Sequence, residues 1–248
     1  DPYGLYNTSM ADYKGGIARS GSGTTGDPYV YTAKGGDSNW DNRPVKYVSF
    51  WDAARFCNWL HNGQGDGDTE SGAYINIGNQ TTFARQDGAK WWIPNEDEWY
   101  KAAYHKNDGV TGNYWDYPTG TNSTPSNQLI DPDPGNNANF NHNGLTIGSP
   151  YYTTVVGEFE NSESPYGTFD QGGNLWEWNE TAIGSSRGAR GGSWYVNYSL
   201  FRAWVRPSNN PTYEGSDVGF RVASVPEPSA LMLLFVLLAV GVFRRWQR

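Results

Sequence analysis

The clearest hydrophobic periodicity in the chain follows Ser49. Apolar residues recur there at helical spacing, at Phe50, Ala53, Ala54, Cys57 and Leu60. Ser49-x-x-Asp52 resembles a capping box in which Asp replaces Glu, and Asn62-Gly63 is a typical helix stop. The pattern therefore predicts an amphipathic helix between Ser49 and Asn62, with Cys57 on its inward face.

A second strand-and-helix pattern begins at Trp91. The run 91–93 is short, aromatic and apolar, which predicts a short buried strand before Pro94. Asn95-x-x-Glu98 is a second capping signal, and Trp99, Ala102 and Ala103 form one apolar face. We expect this helix to end near Lys106.

The rest of the chain is polar and rich in turn residues. Of 248 residues, 31 are Gly and 14 are Pro, and residues 107–165 consist mainly of Gly, Pro, Asn, Ser, Thr and Tyr. The 12 Trp, 17 Tyr and 10 Phe residues still provide enough apolar area for a core. We therefore predict a loop-rich globular domain with little regular structure, whose long loops are held by function or by a metal ion.

Charge and cysteine content exclude several classes of protein. The 26 Asp+Glu outnumber the 18 Lys+Arg, so the net charge is −8 and we expect no nucleic acid partner. With one cysteine, the chain forms neither an internal disulfide nor a thiolate cluster. A three-histidine metal site would need all of the distant residues His61, His105 and His142.

The C-terminal segment, residues 225–248, differs from everything before it. Pro226-Glu227-Pro228 precedes an apolar run at about 230–243, and Arg244 and Arg245 follow that run. The run is short for a membrane-spanning helix, but it carries no charge; a buried C-terminal helix is the alternative. This order resembles the PEP-CTERM sorting signal, which implies an exosortase partner, a transient anchor in the inner membrane and export in a Gram-negative bacterium.

The body, residues 1–224, reads as one domain that lacks its true N-terminus, because Asp1-Pro2-Tyr3 looks like the middle of a domain. Its landmarks between residues 40 and 223 occur in a specific order. They are Pro44-Val45, Val48-Ser49-Phe50, Trp92-Ile93-Pro94, Glu98-Trp99, Gly172-Gly173-Asn174-Leu175-Trp176-Glu177-Trp178, Arg190-Gly191-Gly192-Ser193-Trp194 and Gly219-Phe220-Arg221. The series resembles the formylglycine-generating enzyme (sulfatase-modifying factor) family. The resemblance implies an α+β, C-type-lectin-like fold that is loop-rich, with two main helices and small antiparallel sheets, plus a C-terminal hydrophobic helix.

Enzymes of this family oxidise a sulfatase cysteine, within Cys-x-Pro-x-Arg, using Cu(I) held by two thiolates and O₂. Those cysteines follow the Gly-Gly-Ser-Trp motif, but residues 195–206 of this chain contain neither Cys nor His. We therefore expect no copper and interpret the chain as an exported, non-catalytic binding module for a glycan, peptide or matrix component. The alternative is a metal-dependent oxidoreductase of this family that uses non-heme iron or copper at another site.

The resemblance also implies structural calcium. It assigns the ion to the side chains of Asp170 and Glu177 and to the carbonyls of Gly173 and Leu175. A weaker second site would involve Asn139 and Phe140. The alternative for Glu177 is a buried carboxylate paired with an arginine such as Arg190 or Arg221.

Aromatic and amide side chains after Trp194 form the candidate ligand face. Its members are Tyr195, Asn197, Tyr198, Phe201, Trp204 and Arg206. Rings stack on sugars or peptides and amides form hydrogen bonds, so these residue types suit an extracellular polysaccharide or a peptide. Core packing explains Trp204 at least as well, and internal pairing that locks the C-terminal strands is the alternative for Arg202, Arg206 and Arg221.

Overall fold

The computed structural model describes residues 2–225. Two α-helices and ten short strands occur in the order β1 (Ile17–Ser20), β2 (Val30–Ala33), α1 (Phe50–His61), β3 (Tyr74–Ile75), β4 (Ala84–Arg85), β5 (Trp91–Trp92), α2 (Glu96–Tyr104), β6 (Trp176–Ile183), β7 (Ser186–Arg190), β8 (Ser208–Asn209), β9 (Val218–Gly219) and β10 (Ala223–Ser224). The sorting-signal residues Pro226, Glu227, Pro228, Arg244 and Arg245 and the apolar run at about 230–243, predicted to be a hydrophobic helix, lie outside the described residues. Within residues 2–225, no helix is both long and apolar enough to cross a membrane.

Helix α1 begins as its capping signal predicts. The Ser49 hydroxyl accepts a hydrogen bond from the Asp52 backbone N–H, and the Asp52 carboxylate accepts one from the Ser49 N–H. Cys57 is fully buried on the inward face, as expected. The next residue, Asn58, is polar but also buried. Its Oδ1 accepts from the Tyr74 N–H at 2.7 Å, and its Nδ2 donates to the Tyr74 carbonyl at 3.1 Å. Asn58 thereby ties the polar excursion after the helix back to the core.

Helix α2 has the predicted capping box, since the Asn95 side chain and the Glu98 carboxylate each accept the other's backbone N–H. It ends at Tyr104, two residues before the predicted end, because His105 leaves the helix in an extended conformation. Strand β5 precedes this helix and pairs antiparallel with β10, which brings the end of the described chain beside α1. The capping signals thus fix where both helices start.

The central sheet has four strands in the order β8-β7-β6-β9. Strands β6 and β7 form an antiparallel hairpin in which Glu177 lies opposite Arg190, and β9 joins the other edge of β6 in parallel. The largest buried cluster packs α1 against this sheet, with Phe50 and Trp178 in edge contact at 6.3 Å. The guanidinium of Arg187 lies 4.6 Å from the Phe50 ring and covers one side of the cluster.

The long segment between α2 and β6 contains isolated bridges but no regular helix or strand. Side-chain to backbone hydrogen bonds hold it. The buried Asp133 carboxylate accepts from Asn137, Ser162 and the backbone of Gly135 and Asn161, at 2.6 to 3.1 Å. Burial alone raises the pKa of Asp133, but the hydrogen bonds from Asn137, Ser162 and the backbone outweigh it, so the pKa is lowered overall. A carboxylate can therefore organise this loop region.

Candidate functional site: an aromatic row beside two arginine–glutamate pairs

The predicted calcium loop is built around Glu177 at the start of β6. Both carboxylate oxygens of Glu177 accept from Arg221: Oε1 from Nη2 at 2.5 Å and Oε2 from Nε. Oε2 also accepts from the buried indole of Trp99 at 2.7 Å. The carboxylate is thus fully paired, which is the second of the two possibilities raised by the sequence.

The remaining members of this predicted site lie close to Glu177. Asp170 and Leu175 line the same cavity as Glu177 and Arg221, which has a volume of about 420 Å³. Burial raises the pKa of Asp170, and its Oδ2 accepts from the Gly157 N–H at 2.7 Å. Gly173 has a positive φ of 73°, and an added Cβ would collide with the backbone oxygen of Asn139.

This arrangement does not fit calcium at Glu177. Calcium needs free carboxylate oxygens, whereas the Arg221 guanidinium occupies both and would repel a cation. At the weaker predicted site, the Phe140 carbonyl already accepts from Asn127 and Thr146. The Asn139 Oδ1 is buried and has no hydrogen-bond partner within residues 2–225. Calcium therefore stays a prediction, and at Glu177 it requires Arg221 to move.

A second arginine–glutamate cluster joins α2 to β7 and to the predicted ligand face. The Glu96 Oε1 accepts from Arg190 and Arg206, and its Oε2 accepts from Arg206 at 2.6 Å. Burial raises the pKa of Glu96, but the hydrogen bonds from Arg206 and Arg190 outweigh it and lower the pKa overall. Arg206 is therefore an internal partner of Glu96, although its side chain is 60% exposed.

Four aromatic rings form a continuous row on one side of the domain. Tyr13, Tyr152, Trp194 and Tyr195 contact one another in that order, with ring centroids 6.3, 4.8 and 5.5 Å apart. We call this set the aromatic row. Its end members, Tyr13 and Tyr195, are 61% and 63% exposed, while Trp194 is buried. The ammonium of Lys14 lies 5.1 to 5.7 Å from the rings of Tyr13, Tyr152 and Trp194.

The sequence pointed to Tyr195 as a surface ring but did not indicate Tyr13 or Tyr152. Tyr13 and Lys14 lie in the N-terminal segment, and Tyr152 lies in the long loop. No sequence motif links these two segments to Trp194 and Tyr195, and only the fold brings them together. Trp194 anchors the row because its indole N–H donates to the Ser216 carbonyl at 3.2 Å.

The other predicted face residues divide between core and surface. Phe201 is 1% exposed and packs against Phe140 at 5.1 Å, so it belongs to the core and its assignment to the ligand face is wrong. Tyr198 is half-buried against His142 at 5.4 Å. Asn197 is exposed, but its side chain caps a short 3₁₀ helix by accepting from the Ser199 N–H.

Trp204 is 59% exposed, so it is a surface residue. Its contact is with the Arg202 guanidinium, 4.9 Å from the ring, and Arg202 in turn donates to the Tyr117 hydroxyl at 2.7 Å. Trp204 is thus a second aromatic surface position, separate from the contacts of the aromatic row. Internal pairing was the alternative for three arginines, and each has an internal partner. These pairs are Arg202 with Tyr117, Arg206 with Glu96, and Arg221 with Glu177.

The only thiol of the chain, Cys57, is not accessible from the surface. Cys57 is fully buried in the α1 cluster, and burial raises its pKa well above the usual range for a thiol, with Glu180 pushing in the same direction. Cys57 is therefore a neutral thiol, and the chain has no second cysteine to complete a two-thiolate site. Among the described residues, no group of three or more His, Cys, Asp or Glu side chains is arranged to hold a metal ion.

Two family models account for nearly the whole chain. The sulfatase-modifying factor enzyme 1-like domain matches residues 9–225, and the PEP-CTERM protein-sorting motif matches residues 224–248. No curated protein matches the chain.

Solved structures share the fold at low sequence identity. Variable protein 1 of Treponema denticola is 22% identical, with 75% of this chain and 72% of that chain covered and a TM-score of 0.50. The protein CarF is 21% identical, with 88% and 78% covered and a TM-score of 0.51. The fold is therefore the α+β, C-type-lectin-like fold that the sequence predicted. The chain belongs to the sulfatase-modifying factor enzyme 1-like family, and its sorting motif implies recognition by exosortase and export to the cell envelope of a Gram-negative bacterium.

Proposed function

We propose that this exported member of the family is a non-catalytic binding module for an extracellular glycan, peptide or matrix component, displayed at the cell surface or in the matrix. The observation that carries the proposal is the aromatic row. Its exposed end rings are packed on neighbouring rings, Tyr195 on the buried Trp194 and Tyr13 on Tyr152, so they present apolar faces at little entropic cost. Such faces suit stacking on a sugar ring or on a peptide side chain.

The state of Cys57 supports binding over catalysis. Copper chemistry of the family type needs two thiolates, and the one thiol of this chain is buried and protonated. The end rings of the aromatic row, in contrast, are exposed, so a ligand can reach them. A metal-dependent oxidoreductase would need a ligand set elsewhere.

A glycan and peptide array tests the proposal. The full chain is purified in a mild detergent and applied as wild type, Tyr195→Ala and Trp204→Ala. Trp204 is the matched control, because it is as exposed as Tyr195 but stands outside the aromatic row. We expect binding by wild type and Trp204→Ala and a loss of at least tenfold in Tyr195→Ala, about 1.4 kcal/mol of stacking.

Two results would contradict the proposal. One is equal binding by Tyr195→Ala and wild type, which would place the ligand elsewhere. The other is a wild-type protein that binds nothing on the array. Circular dichroism of each variant controls for folding.

A further inference from the structure

A second cavity opens beside the aromatic row. It has a volume of about 310 Å³ and is lined by Met10, Gly15, Gly16, Trp40, Arg43 and Lys46, among others. That volume is at the lower end of the range of small-molecule sites. The cavity therefore has room for one sugar unit.

Lys46 is the unusual residue in this cavity. It is 4% exposed, and its ammonium donates to the Tyr151 carbonyl at 2.9 Å and lies 5.3 Å from the Trp40 ring. Within residues 2–225, no carboxylate lies within 4.0 Å of it. A buried cation ordinarily has an anionic partner, so Lys46 carries a charge that nothing in the described chain neutralises.

Arg43 adds a second cation to the same cavity. Its Nε donates to the Asn39 carbonyl at 2.9 Å, Nη1 donates to the Thr153 carbonyl, and its guanidinium lies 4.1 Å from the Tyr151 ring. These partners are neutral. Carbonyls and rings therefore hold both side chains in place and leave their charges available to an anion.

The cavity and the aromatic row share their supporting segments. Lys14, which lies against the row, directly precedes the lining residues Gly15 and Gly16, and Tyr151, whose carbonyl holds Lys46, directly precedes Tyr152 of the row. The cavity and the aromatic row are therefore neighbours in the fold. One extended molecule can contact both.

The charges around Lys46 favour an incoming anion. Lys14, Lys34 and Arg43 are its cationic neighbours. The nearby acids are Asp37, Asp41 and Glu158, and Asp37 already accepts from the Tyr151 hydroxyl and from Asn39. Burial, with a smaller contribution from these three cations, lowers the pKa of Lys46 to about 7. A bound anion would raise the pKa of Lys46 again, because it favours the charged ammonium.

We propose that the Lys46–Arg43 cavity binds the carboxylate of an acidic sugar, a uronic acid unit of a polysaccharide whose neighbouring units stack on the aromatic row. The assignment rests on the proposed binding function and specifies its ligand class. A sugar is favoured over an acidic peptide because the exposed rings of the aromatic row, Tyr13 and Tyr195, offer stacking faces beside a single cationic cavity.

Calorimetric titration of the full chain in detergent tests the proposal with three probes: an oligogalacturonate, the same oligosaccharide with its carboxyl groups reduced to alcohols, and oligoglutamate. We expect the oligogalacturonate to bind at least tenfold more tightly than the reduced form. Its Kd should rise about tenfold between pH 6 and pH 8, as Lys46 loses its proton. Neither a histidine nor a cysteine lines the cavity to imitate that dependence.

Two variants complete the test. Lys46→Met keeps the side-chain length and removes the charge, and we expect it to bind the two oligosaccharides equally, independently of pH. Lys101→Met, on the exposed face of α2, is the control and should behave as wild type. The pH series on the wild type gives the same information if Lys46→Met fails to fold.

The outcomes separate the two proposals. Equal, pH-independent binding of acidic and reduced oligosaccharides by the wild type overturns the uronate cavity and leaves the binding function standing. Binding of oligoglutamate alone, with dependence on Lys46, overturns the assignment to a sugar. Binding of none of the probes, together with an empty array, overturns both.

Discussion

Replacing Glu96 with Gln removes the one carboxylate that Arg190 and Arg206 share. The Arg190 side chain is 3% exposed, so the change leaves a buried guanidinium without its counter-charge. Breaking a buried pair from one side costs about 3–5 kcal/mol. Arg190 still donates to the carbonyls of Ala203 and Val205, at 2.7 and 3.0 Å, so we expect the lower end, about 3 kcal/mol.

Urea unfolding of the full chain in detergent, followed by tryptophan fluorescence, measures this cost. The midpoint should fall by about 1 M urea in Glu96→Gln. The pKa of Glu96 is lowered in the folded state, so the wild-type advantage should be complete at pH 7 and should disappear as the pH falls through that lowered pKa.

Arg206→Met is the matched control, because the Arg206 side chain is 60% exposed and an exposed partner contributes at most about 1 kcal/mol. The reasoning is refuted if Glu96→Gln and Arg206→Met lower the midpoint equally. It is also refuted if the difference between wild type and Glu96→Gln is unchanged at low pH. Either result would mean that the charge of Glu96 does not compensate Arg190.

Three further predictions concern Lys46, calcium and catalysis. Since the pKa of Lys46 is lowered to about 7, the unfolded chain binds a proton that the folded chain lacks, and wild-type stability should rise by about 2–3 kcal/mol between pH 7 and pH 9. Lys46→Met should abolish that rise, and an unchanged slope in urea titrations would contradict the assignment. Adding calcium or a chelator should leave the wild-type melting temperature unchanged if Glu177 is the only candidate site, because Arg221 holds both of its oxygens, whereas Arg221→Gln should gain calcium dependence. A calcium-dependent wild type would show that the ion displaces Arg221 or binds at Asn139 and Phe140. A peptide containing Cys-x-Pro-x-Arg, incubated with the protein, O₂ and Cu(I) or Fe(II), should keep its mass, and formylglycine in the mass spectrum would refute the non-catalytic interpretation.

The helices show how far local sequence signals reach. Ser49 and Asn95 place both helix starts correctly because a capping box satisfies its hydrogen bonds within four residues. The inward position of Cys57 follows from the same local periodicity. The end of α2 was placed two residues too late, since nothing local marks the extended backbone of His105.

For the candidate ligand face, local sequence signals do not predict which side chains are exposed. The residue types after Trp194 predict that Phe201 and Trp204 share one face, yet Phe201 fills the core and Trp204 is exposed. Both residues are aromatic, and composition does not distinguish a ring that packs against Phe140 from one that faces solvent. Exposure is decided by contacts with distant segments.

By itself, the sequence determined the family, the two helices, the sorting motif and the lack of a thiolate pair. Each of these depends only on short local motifs or on the number of cysteines. Only the tertiary structure decided that Glu177 pairs with Arg221, that Tyr13 and Tyr152 extend the row that ends at Tyr195, and that Lys46 is buried without a carboxylate. These features depend on contacts between segments far apart in the chain. Their energies come from burial and from the distances between charges, and neither quantity exists before the chain folds.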